Sequence, residues 1–186
     1  VEAGIVAVAA IGNDGSNRVT SVGAADKAIT VGAIDEDDSI ERGDDEIASY
    51  SNYGPRVSDD DGDSEDEHKP DVVAPGSGII SAEYAAPNPL PVGDENLADD
   101  GYTDKSGTSM ACPAVAGMAA LILSYDDTLT PEDVKNIIKI TSEQRGSASD
   151  PSNSDRWNNQ YGYGIVDGEQ VYSCLIGGEC TQDGWE

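Results

Sequence analysis

The segment from Ser106 to Leu123 constrains the fold of this chain more than any other. A Gly-Thr-Ser turn leads into an apolar run of small residues, which predicts a helix extending to about Tyr125. Gly107 allows a tight backbone bend, so Ser109 falls at or near the first helical turn. Because the helix is thin and apolar, we predict that it is buried and packs closely against a sheet.

Two roles are open for the hydroxyl groups at the start of this helix. First-turn N–H groups lack intrahelical partners, and the helix dipole favours negative charge there. The Ser109 hydroxyl could therefore act as a nucleophile, because the same N–H groups can hold the oxyanion that forms after attack. Alternatively, Thr108 or Ser109 is only an N-cap, the commoner role of Ser or Thr before an apolar helix.

Apolar runs elsewhere in the chain predict a parallel sheet. Residues 4–10 and 28–34 are continuous apolar runs, and a shorter run lies between prolines at 70–76. Such runs, interleaved with helices, indicate an α/β fold of three layers, with a mostly parallel sheet flanked by helices. Ligand sites in these sheets lie at the carboxyl ends of the strands, so Asn13 and Ser109 could face the same edge.

The remaining segments predict shorter elements. Thr130 as N-cap, followed by Pro131 and acidic residues, predicts a second helix. Residues 47–51 predict a short strand, and residues 77–105 a loop-rich segment. Residues 161–167 form a Gly-rich turn that enters a last strand or helix.

The charge of the chain limits its partners. Acidic residues number 37 against 10 basic ones, giving a net charge of −27 spread along the sequence. This predicts a heavily solvated surface of the kind that suits high salt, although an ordinary acidic secreted protein is the alternative. Such a surface repels nucleic acid and anionic membranes, so we expect neither as a partner.

The cysteines and the start of the chain carry further expectations. Cys112 is predicted to be a small buried residue, whereas Cys174 and Cys180 are close enough for a local disulfide in an oxidising compartment. We expect no membrane-spanning segment. Val1 opens directly on an apolar strand without a basic leader, so we expect a chain that begins inside a domain.

An acidic run at residues 58–67 carries seven carboxylates in ten residues. Carboxylate oxygens are ligands for Ca²⁺, so a structural calcium ion is one interpretation. The run lacks the EF-hand spacing, and a solvated loop is the interpretation that we favour.

Four segments resemble one known family. Gly107-Thr108-Ser109-Met110-Ala111 followed by Pro113 is similar to the nucleophile signature of subtilisin-like serine peptidases. Three further segments resemble that family in chain order: Ala9–Asn13 at the strand end bearing the oxyanion asparagine, Lys69–Gly76 before the nucleophile, and Tyr161–Asp167 at the C-terminal turn. The chain departs from the family at Ala114, where a structural His is usual.

The resemblance implies hydrolysis of peptide bonds in peptide or protein substrates through an acyl-enzyme. Ser109 would be the nucleophile, while the Asn13 side chain and the Ser109 N–H would hold the oxyanion. Without Ser109, Asn13 would be interpreted only as a turn residue. The resemblance also implies a pocket that binds the substrate residue before the scissile bond. One wall of this pocket would consist of Ala9, Ala10 and Gly12, and Asp14 would lie near it. No catalytic metal or cofactor is predicted, and we expect a monomer when the domain is complete.

The resemblance also shows what this chain lacks. The family's Asp and His precede its Ser, and neither motif is present, so both are expected upstream of Val1. The single His, His68, lies in a charged loop and is a poor candidate for the base. We therefore interpret residues 1–186 as the C-terminal portion of one catalytic domain, incomplete at its N-terminus. The alternative is a truncated or non-catalytic peptide-binding protein of the same fold.

The charge predicts how stability responds to salt. Molar salt shortens the Debye length to about 3 Å, which screens repulsion among the carboxylates. We expect the melting temperature of the chain to rise between low and molar KCl, as followed by circular dichroism. A melting temperature that falls over this range would contradict the prediction.

Overall fold

A computed structural model describes residues 1, 3–37, 39–60, 62, 64, 66–82, 102–152, 154, 156–178 and 180. The proline-rich part of the predicted loop, at residues 83–101, lies outside the described residues, as do three positions of the acidic run.

Six strands and three helices make up the described chain. In chain order they are β1 (Val8–Ala10), β2 (Ile29–Asp35), β3 (Glu46–Ile47), β4 (Val72–Pro75), β5 (Ile79–Ala82), β6 (Tyr102–Lys105), α1 (Thr108–Tyr125), α2 (Pro131–Thr141) and α3 (Gly168–Gly177).

Strand β2 is the centre of the main sheet. It pairs in parallel with β1 through Ile29–Val31 and with β4 through Val31–Ile34. Strand β3 adds a short antiparallel pairing at the end of β2. The α/β class and the mostly parallel sheet are therefore confirmed. Strands β5 and β6 form a separate antiparallel hairpin within the segment predicted to be loop-rich.

The main core lies on the face of the sheet that bears Ile29, Val31 and Ala33, and all three helices contribute to it. The opposite face is covered by an irregular segment, in which Ile165 packs against Ile34 and Val73. The described helices thus supply one layer, and loop structure covers the other side of the sheet.

Helix α1 packs on β1, β2 and β4 through a narrow stripe. The stripe consists of Thr108, Ala111, Val115, Ala119 and Ile122. Small side chains allow this close approach, as expected from the sequence. The prediction of a buried helix holds only for this stripe, because Leu121, which lies outside it, remains 70% exposed. Cys112 is accordingly half-buried, and the partial burial raises the pKa of its thiol.

Helix α2 begins as the sequence predicts. The Thr130 hydroxyl accepts from the Asp133 N–H, while the Asp133 carboxylate accepts from Thr130. This reciprocal capping box satisfies amide donors that the first turn would otherwise leave unpaired. Val134, Ile137 and Ile138 then face the core.

Two predicted strands are shorter in the structure. Strand β1 covers only the end of the apolar run, and Ile5 is exposed. Strand β3 ends at Ile47, because the Ser51 N–H donates to the Ala48 carbonyl and the Ser51 hydroxyl accepts from the Ala33 N–H.

The last Gly-rich turn enters a helix, α3, whose Cys174 forms a disulfide with Cys180.

Of the described residues, one helix, α1, has the length and apolar composition of a membrane-spanning segment. The expectation that no segment reaches that limit was wrong. Core helices of soluble proteins share this composition, and the buried stripe of α1 packs on the sheet.

Candidate active site

The carboxyl edge of the sheet meets the amino end of α1. Asn13 follows β1, and its Oδ1 accepts from both the backbone N–H and the hydroxyl of Thr108, each at 2.9 Å. Thr108 is fully buried, and its hydroxyl in turn accepts from the Gly12 N–H at 3.3 Å. These bonds attach the loop after β1 to the residue that immediately precedes Ser109.

The bonds to Thr108 fix the orientation of the Asn13 amide. A backbone N–H can only donate, so the oxygen of the amide must face it and the Nδ2 group must face away. Nδ2 lies beside Gly107: a Cβ at that position would be 3.3 Å from it, and Gly107 has a φ of 153°. Glycine therefore leaves the space next to this amide donor open.

The first turn of α1 leaves one further donor available. The Thr108 N–H donates to Asn13, and the N–H groups of Met110 and Ala111 donate to the Gly107 carbonyl. Within the described residues, the Ser109 N–H has no acceptor, and the Ser109 side chain is exposed. Two donors, the Ser109 N–H and Asn13 Nδ2, are thus available at the same helix end.

A main-chain hydrogen bond connects the start of α1 to the end of β4. The Gly107 N–H donates to the carbonyl oxygen of Gly76, directly after β4, at 2.8 Å. The carboxyl ends of β1 and β4 are therefore both attached to the start of α1, which agrees with the expected location of a site in a parallel sheet.

Asn52 shapes the loop after β1, a role that the sequence interpretation missed. The side chain of Asn52 is fully buried, and its Oδ1 accepts from the N–H groups of Asp14 at 2.7 Å and Ser16 at 3.4 Å. A Cβ at Gly12, whose φ is 123°, would lie 2.4 Å from Asn52 Nδ2. The segment Ser-Asn-Tyr-Gly around Asn52 reads only as a turn, so no sequence signal marked it.

The predicted pocket residues lie on β1 and the following turn. Ala9 pairs with Thr30 and Ala10 with Val31, so their side chains point to opposite faces of the sheet. A pocket on one face of the sheet can therefore contact the side chain of only one of these two residues. The Asp14 carboxylate is turned toward Asn52 and toward Arg18, whose Nη1 is 3.6 Å away.

His68 lies at the opposite end of β4 from Ser109. Its ring is buried and stacked on Trp157, with centroids 4.4 Å apart, and its Nε2 is 3.3 Å from Asp150 Oδ2. His68 precedes β4, whereas the contact with Gly107 follows β4. The four residues of that strand span roughly 13 Å at about 3.3 Å per residue. His68 is therefore not placed to accept a proton from Ser109.

The described part of the acidic run binds an arginine. Asp59 and Asp66, together with Asp26, surround the buried guanidinium of Arg56. Burial alone would lower the pKa of Arg56, but its bonds to Asp66 and Asp59 raise that pKa above its ordinary value. A calcium ion at these three carboxylates would have to displace Arg56, so their geometry does not fit the metal.

Comparison with known sequences gives a consistent result along the chain. A family profile described as the subtilase family matches residues 1–164. The serine protease AprX of Bacillus subtilis is 37% identical over 175 residues, which cover 90% of this chain and 35% of AprX. Halolysin of Haloferax mediterranei is 32% identical over 149 residues, which cover 80% of this chain and 22% of halolysin.

Comparison with solved structures gives the same fold. The self-cleaved protease domain of PatA superposes with a TM-score of 0.64 at 23% identity, over 95% of this chain and 52% of that domain. The chain thus spans about a third of AprX and about half of a solved protease domain with this fold.

Proposed function

This chain belongs to the subtilase family, and on that premise we propose that it is the carboxy-terminal part of the catalytic domain of a serine endopeptidase. Its substrates are peptides or proteins, and its reaction passes through an acyl-enzyme on Ser109. The observation that carries the proposal is the attachment of Asn13 to Thr108, which brings an amide donor to the start of the helix that bears Ser109.

The proposed reaction has two stages. Ser109 Oγ attacks the carbonyl carbon of the scissile bond and gives its proton to a histidine, while the carbonyl oxygen becomes an oxyanion. The C–N bond then breaks, the amine leaves with that proton, and water hydrolyses the ester. In both stages the Ser109 N–H and Asn13 Nδ2 donate to the oxyanion, a role supported by the position of both donors at the start of α1.

The general base must come from outside this chain. The single histidine, His68, is stacked on Trp157 at the far end of β4. We therefore assign the Asp and His of the triad to polypeptide that is not part of residues 1–186.

The substrate pocket is proposed on the loop after β1. Since Ala9 and Ala10 point to opposite faces, one of them lines the proposed pocket through its side chain and the other through its backbone, together with Gly12. The Asp14 carboxylate is already engaged with Asn52 and Arg18, so a preference for basic substrates would have to compete with Arg18.

We further propose that the complete domain is a secreted monomer that works at high salt. The net charge of −27 suits a highly saline solvent, and a disulfide between Cys174 and Cys180 suits an oxidising compartment. The similarity to halolysin, from Haloferax mediterranei, agrees with this setting.

A non-catalytic peptide-binding protein of the same fold is the second candidate. It is favoured by one observation, the lack of any suitably placed base among the described residues. In that case Asn13 and the Ser109 amide would bind a carbonyl group of a peptide without hydrolysing it.

Labelling by a fluorophosphonate probe distinguishes these candidates. We expect the isolated chain to react no faster than its Ser109→Ala variant, because a serine hydroxyl without a base is a weak nucleophile. The same residues within a complete catalytic domain should label rapidly at Ser109, as measured by mass spectrometry. Rapid labelling of the isolated chain would show a base within it, and no labelling of the complete domain would favour the non-catalytic candidate.

A further inference from the structure

Residues 49–53 connect the central strand to the loops on both sides of the candidate active site. The buried Ser51 hydroxyl accepts from the Ala33 N–H of β2 at 3.1 Å, which anchors the segment to the sheet. The Tyr50 hydroxyl lies 3.0 Å from Ser77 Oγ, in the segment that follows β4. Main-chain hydrogen bonds join the same segment to the loop after β1. Residues 49–53 are therefore placed to fix one loop relative to the other.

Asn52 binds the main chain on both sides of Asn13. Its N–H donates to the Gly12 carbonyl at 3.0 Å, and its Oδ1 accepts from the Asp14 N–H at 2.7 Å. The Gly12 carbonyl belongs to the peptide group that precedes the Asn13 Cα atom, and the Asp14 N–H belongs to the peptide group that follows it. Asn52 therefore fixes both peptide groups next to Asn13, while Thr108 binds the Asn13 side chain.

The Asn52 side chain fills the space enclosed by this loop. It is fully buried, and its Nδ2 would lie 2.4 Å from a Cβ at Gly12. The amide uses both of its ends within the loop, because Nδ2 donates to Asp14 Oδ2 at 3.4 Å while Oδ1 accepts from two main-chain N–H groups. Truncation of Asn52 would open a space beside Gly12 and leave these N–H groups without their acceptor. Both changes would allow the loop to shift.

We propose that Asn52 is a positioning residue for the oxyanion donor. By fixing the peptide groups on both sides of Asn13, it sets where Asn13 Nδ2 lies relative to the Ser109 N–H. The inference rests on the proposed function, in which these two groups donate to the oxyanion. Such donors act at about 2.7–3.1 Å from the oxyanion, and a displacement of about 1 Å can lower the rate about 100-fold. The effect falls on kcat, because the oxyanion exists only along the reaction path.

Asn52→Ala is the principal variant. It removes the bond to the Asp14 N–H and keeps the main-chain bond to Gly12. In a complete catalytic domain that contains residues 1–186, we expect kcat to fall about 10- to 100-fold and KM to change less than about twofold. Steady-state hydrolysis of a peptide substrate measures both constants. Should this variant fail to fold, as judged by circular dichroism, Asn52→Ser takes its place, because it retains a hydroxyl in the cavity.

Asn158→Ala is the matched control. The Oδ1 atom of Asn158 also accepts from two main-chain N–H groups, at 2.9 and 3.2 Å, and its Nδ2 donates to the Ser147 carbonyl. Asn158 directly follows Trp157, however, which stacks on His68 at the far end of β4 from Ser109. The control variant loses a comparable set of bonds, and we expect it to keep kcat within about twofold of the parent.

A double-mutant cycle tests whether Asn52 acts through Asn13. Once Asn13 is replaced with alanine, the group to be positioned is absent, so Asn52→Ala should lower kcat by less than about twofold further. Two residues that contribute independently would give losses that multiply. A purely structural role of Asn52 therefore predicts the multiplied loss, whereas positioning predicts a loss close to that of Asn13→Ala alone.

Hydrogen exchange in the isolated chain measures the positioning without any activity. The Thr108 N–H donates to Asn13 Oδ1, so its protection reports how firmly Asn13 is held. We expect the Thr108 N–H to exchange at least about tenfold faster in Asn52→Ala than in Asn158→Ala, as followed by NMR in molar KCl.

These measurements separate the positioning role from the proposed function. If the complete parent domain does not hydrolyse peptides, the proposed function fails, and the exchange of the Thr108 N–H decides whether Asn52 holds Asn13. In an active domain, the positioning role is overturned if Asn52→Ala keeps kcat within about twofold of Asn158→Ala, if the loss lies entirely in KM, or if the effects of Asn52 and Asn13 multiply. Equal exchange of the Thr108 N–H in the two variants overturns it in either case.

Discussion

Replacing Asn13 with alanine is expected to lower kcat about 100- to 1,000-fold in the proposed peptidase that contains this chain, with little change in KM. This range is the loss measured when the corresponding donor is removed from subtilisin, a member of the same family. The donor acts on the oxyanion, which exists only along the reaction path, so the loss falls on kcat. Steady-state hydrolysis of a peptide substrate measures both constants.

A second substitution separates catalysis from stability at the same position. Asn13→Ala also removes the acceptor for the Thr108 N–H and hydroxyl, which should cost about 1 kcal/mol of folding free energy, as loss of a helix cap does. Asn13→Asp keeps that acceptor and places a negative charge at the amino end of α1, which is favourable. We therefore expect Asn13→Asp to retain the melting temperature and still lose the hydrolysis.

Asn17→Ala is the control, because it removes an exposed asparagine from the same loop. It should leave kcat unchanged. The oxyanion assignment would be wrong if Asn13→Asp hydrolysed the substrate at the parent rate, or if the loss appeared entirely in KM.

The strands and helices were predictable where a local pattern decides them. The continuous apolar run that contains Ile29 becomes a buried strand paired on both edges, and Thr130 with Asp133 caps α2 through contacts three residues apart. The run at residues 4–10 is also apolar, but no described strand pairs with residues 4–6. Composition alone could not locate the start of β1, because pairing with β2 sets it.

The proximity of Asn13 to the start of α1 was predictable from topology, whereas the residues that support this arrangement were not. Asn13 follows a parallel strand and Ser109 lies in the first turn of a helix, so an α/β fold places both at one edge. Asn52, by contrast, reaches the loop after β1 from 38 residues away, and a local pattern carries no information about such a contact. The exposed side of α1 was missed for a related reason. An apolar sequence predicts that a helix is buried, but it does not identify the polypeptide that buries it.

The second large effect is expected at a charge cluster buried beside the amino end of β4. The carboxylate of Asp71 is 3.0 Å from Lys69 Nζ and 3.3 Å from Lys135 Nζ, and it accepts from the Thr30 N–H at 2.7 Å. Lys69 is fully buried and also donates to the Ala28 carbonyl at 2.9 Å. Because both ammonium groups pair with this one carboxylate, removing the Asp71 charge takes a counter-charge from each of them.

We expect Asp71→Asn to lower the free energy of unfolding by about 3–5 kcal/mol, because two buried ammonium groups lose their counter-charge. Denaturant titration in molar KCl measures the loss, and Asp127→Asn, at an exposed position, should change the stability by less than about 0.5 kcal/mol. Adding Lys69→Met to Asp71→Asn should recover part of the loss, since the second substitution removes one unpaired charge. A cost below about 1 kcal/mol for Asp71→Asn would show that the cluster contributes little.

The pH dependence of this loss tests its electrostatic origin. Burial acts to raise the pKa of Asp71, but Lys135 and Lys69 outweigh it and hold the pKa below its ordinary value. A carboxylate with a lowered folded-state pKa contributes stability above its unfolded pKa of about 3.9, and that contribution disappears as the pH falls through the folded pKa. The other carboxylates titrate equally in parent and variant, so the difference in unfolding free energy isolates Asp71. We expect this difference to shrink as the pH falls below about pH 4. A difference that is unchanged down to the acid unfolding limit would assign the effect to packing and not to the charge.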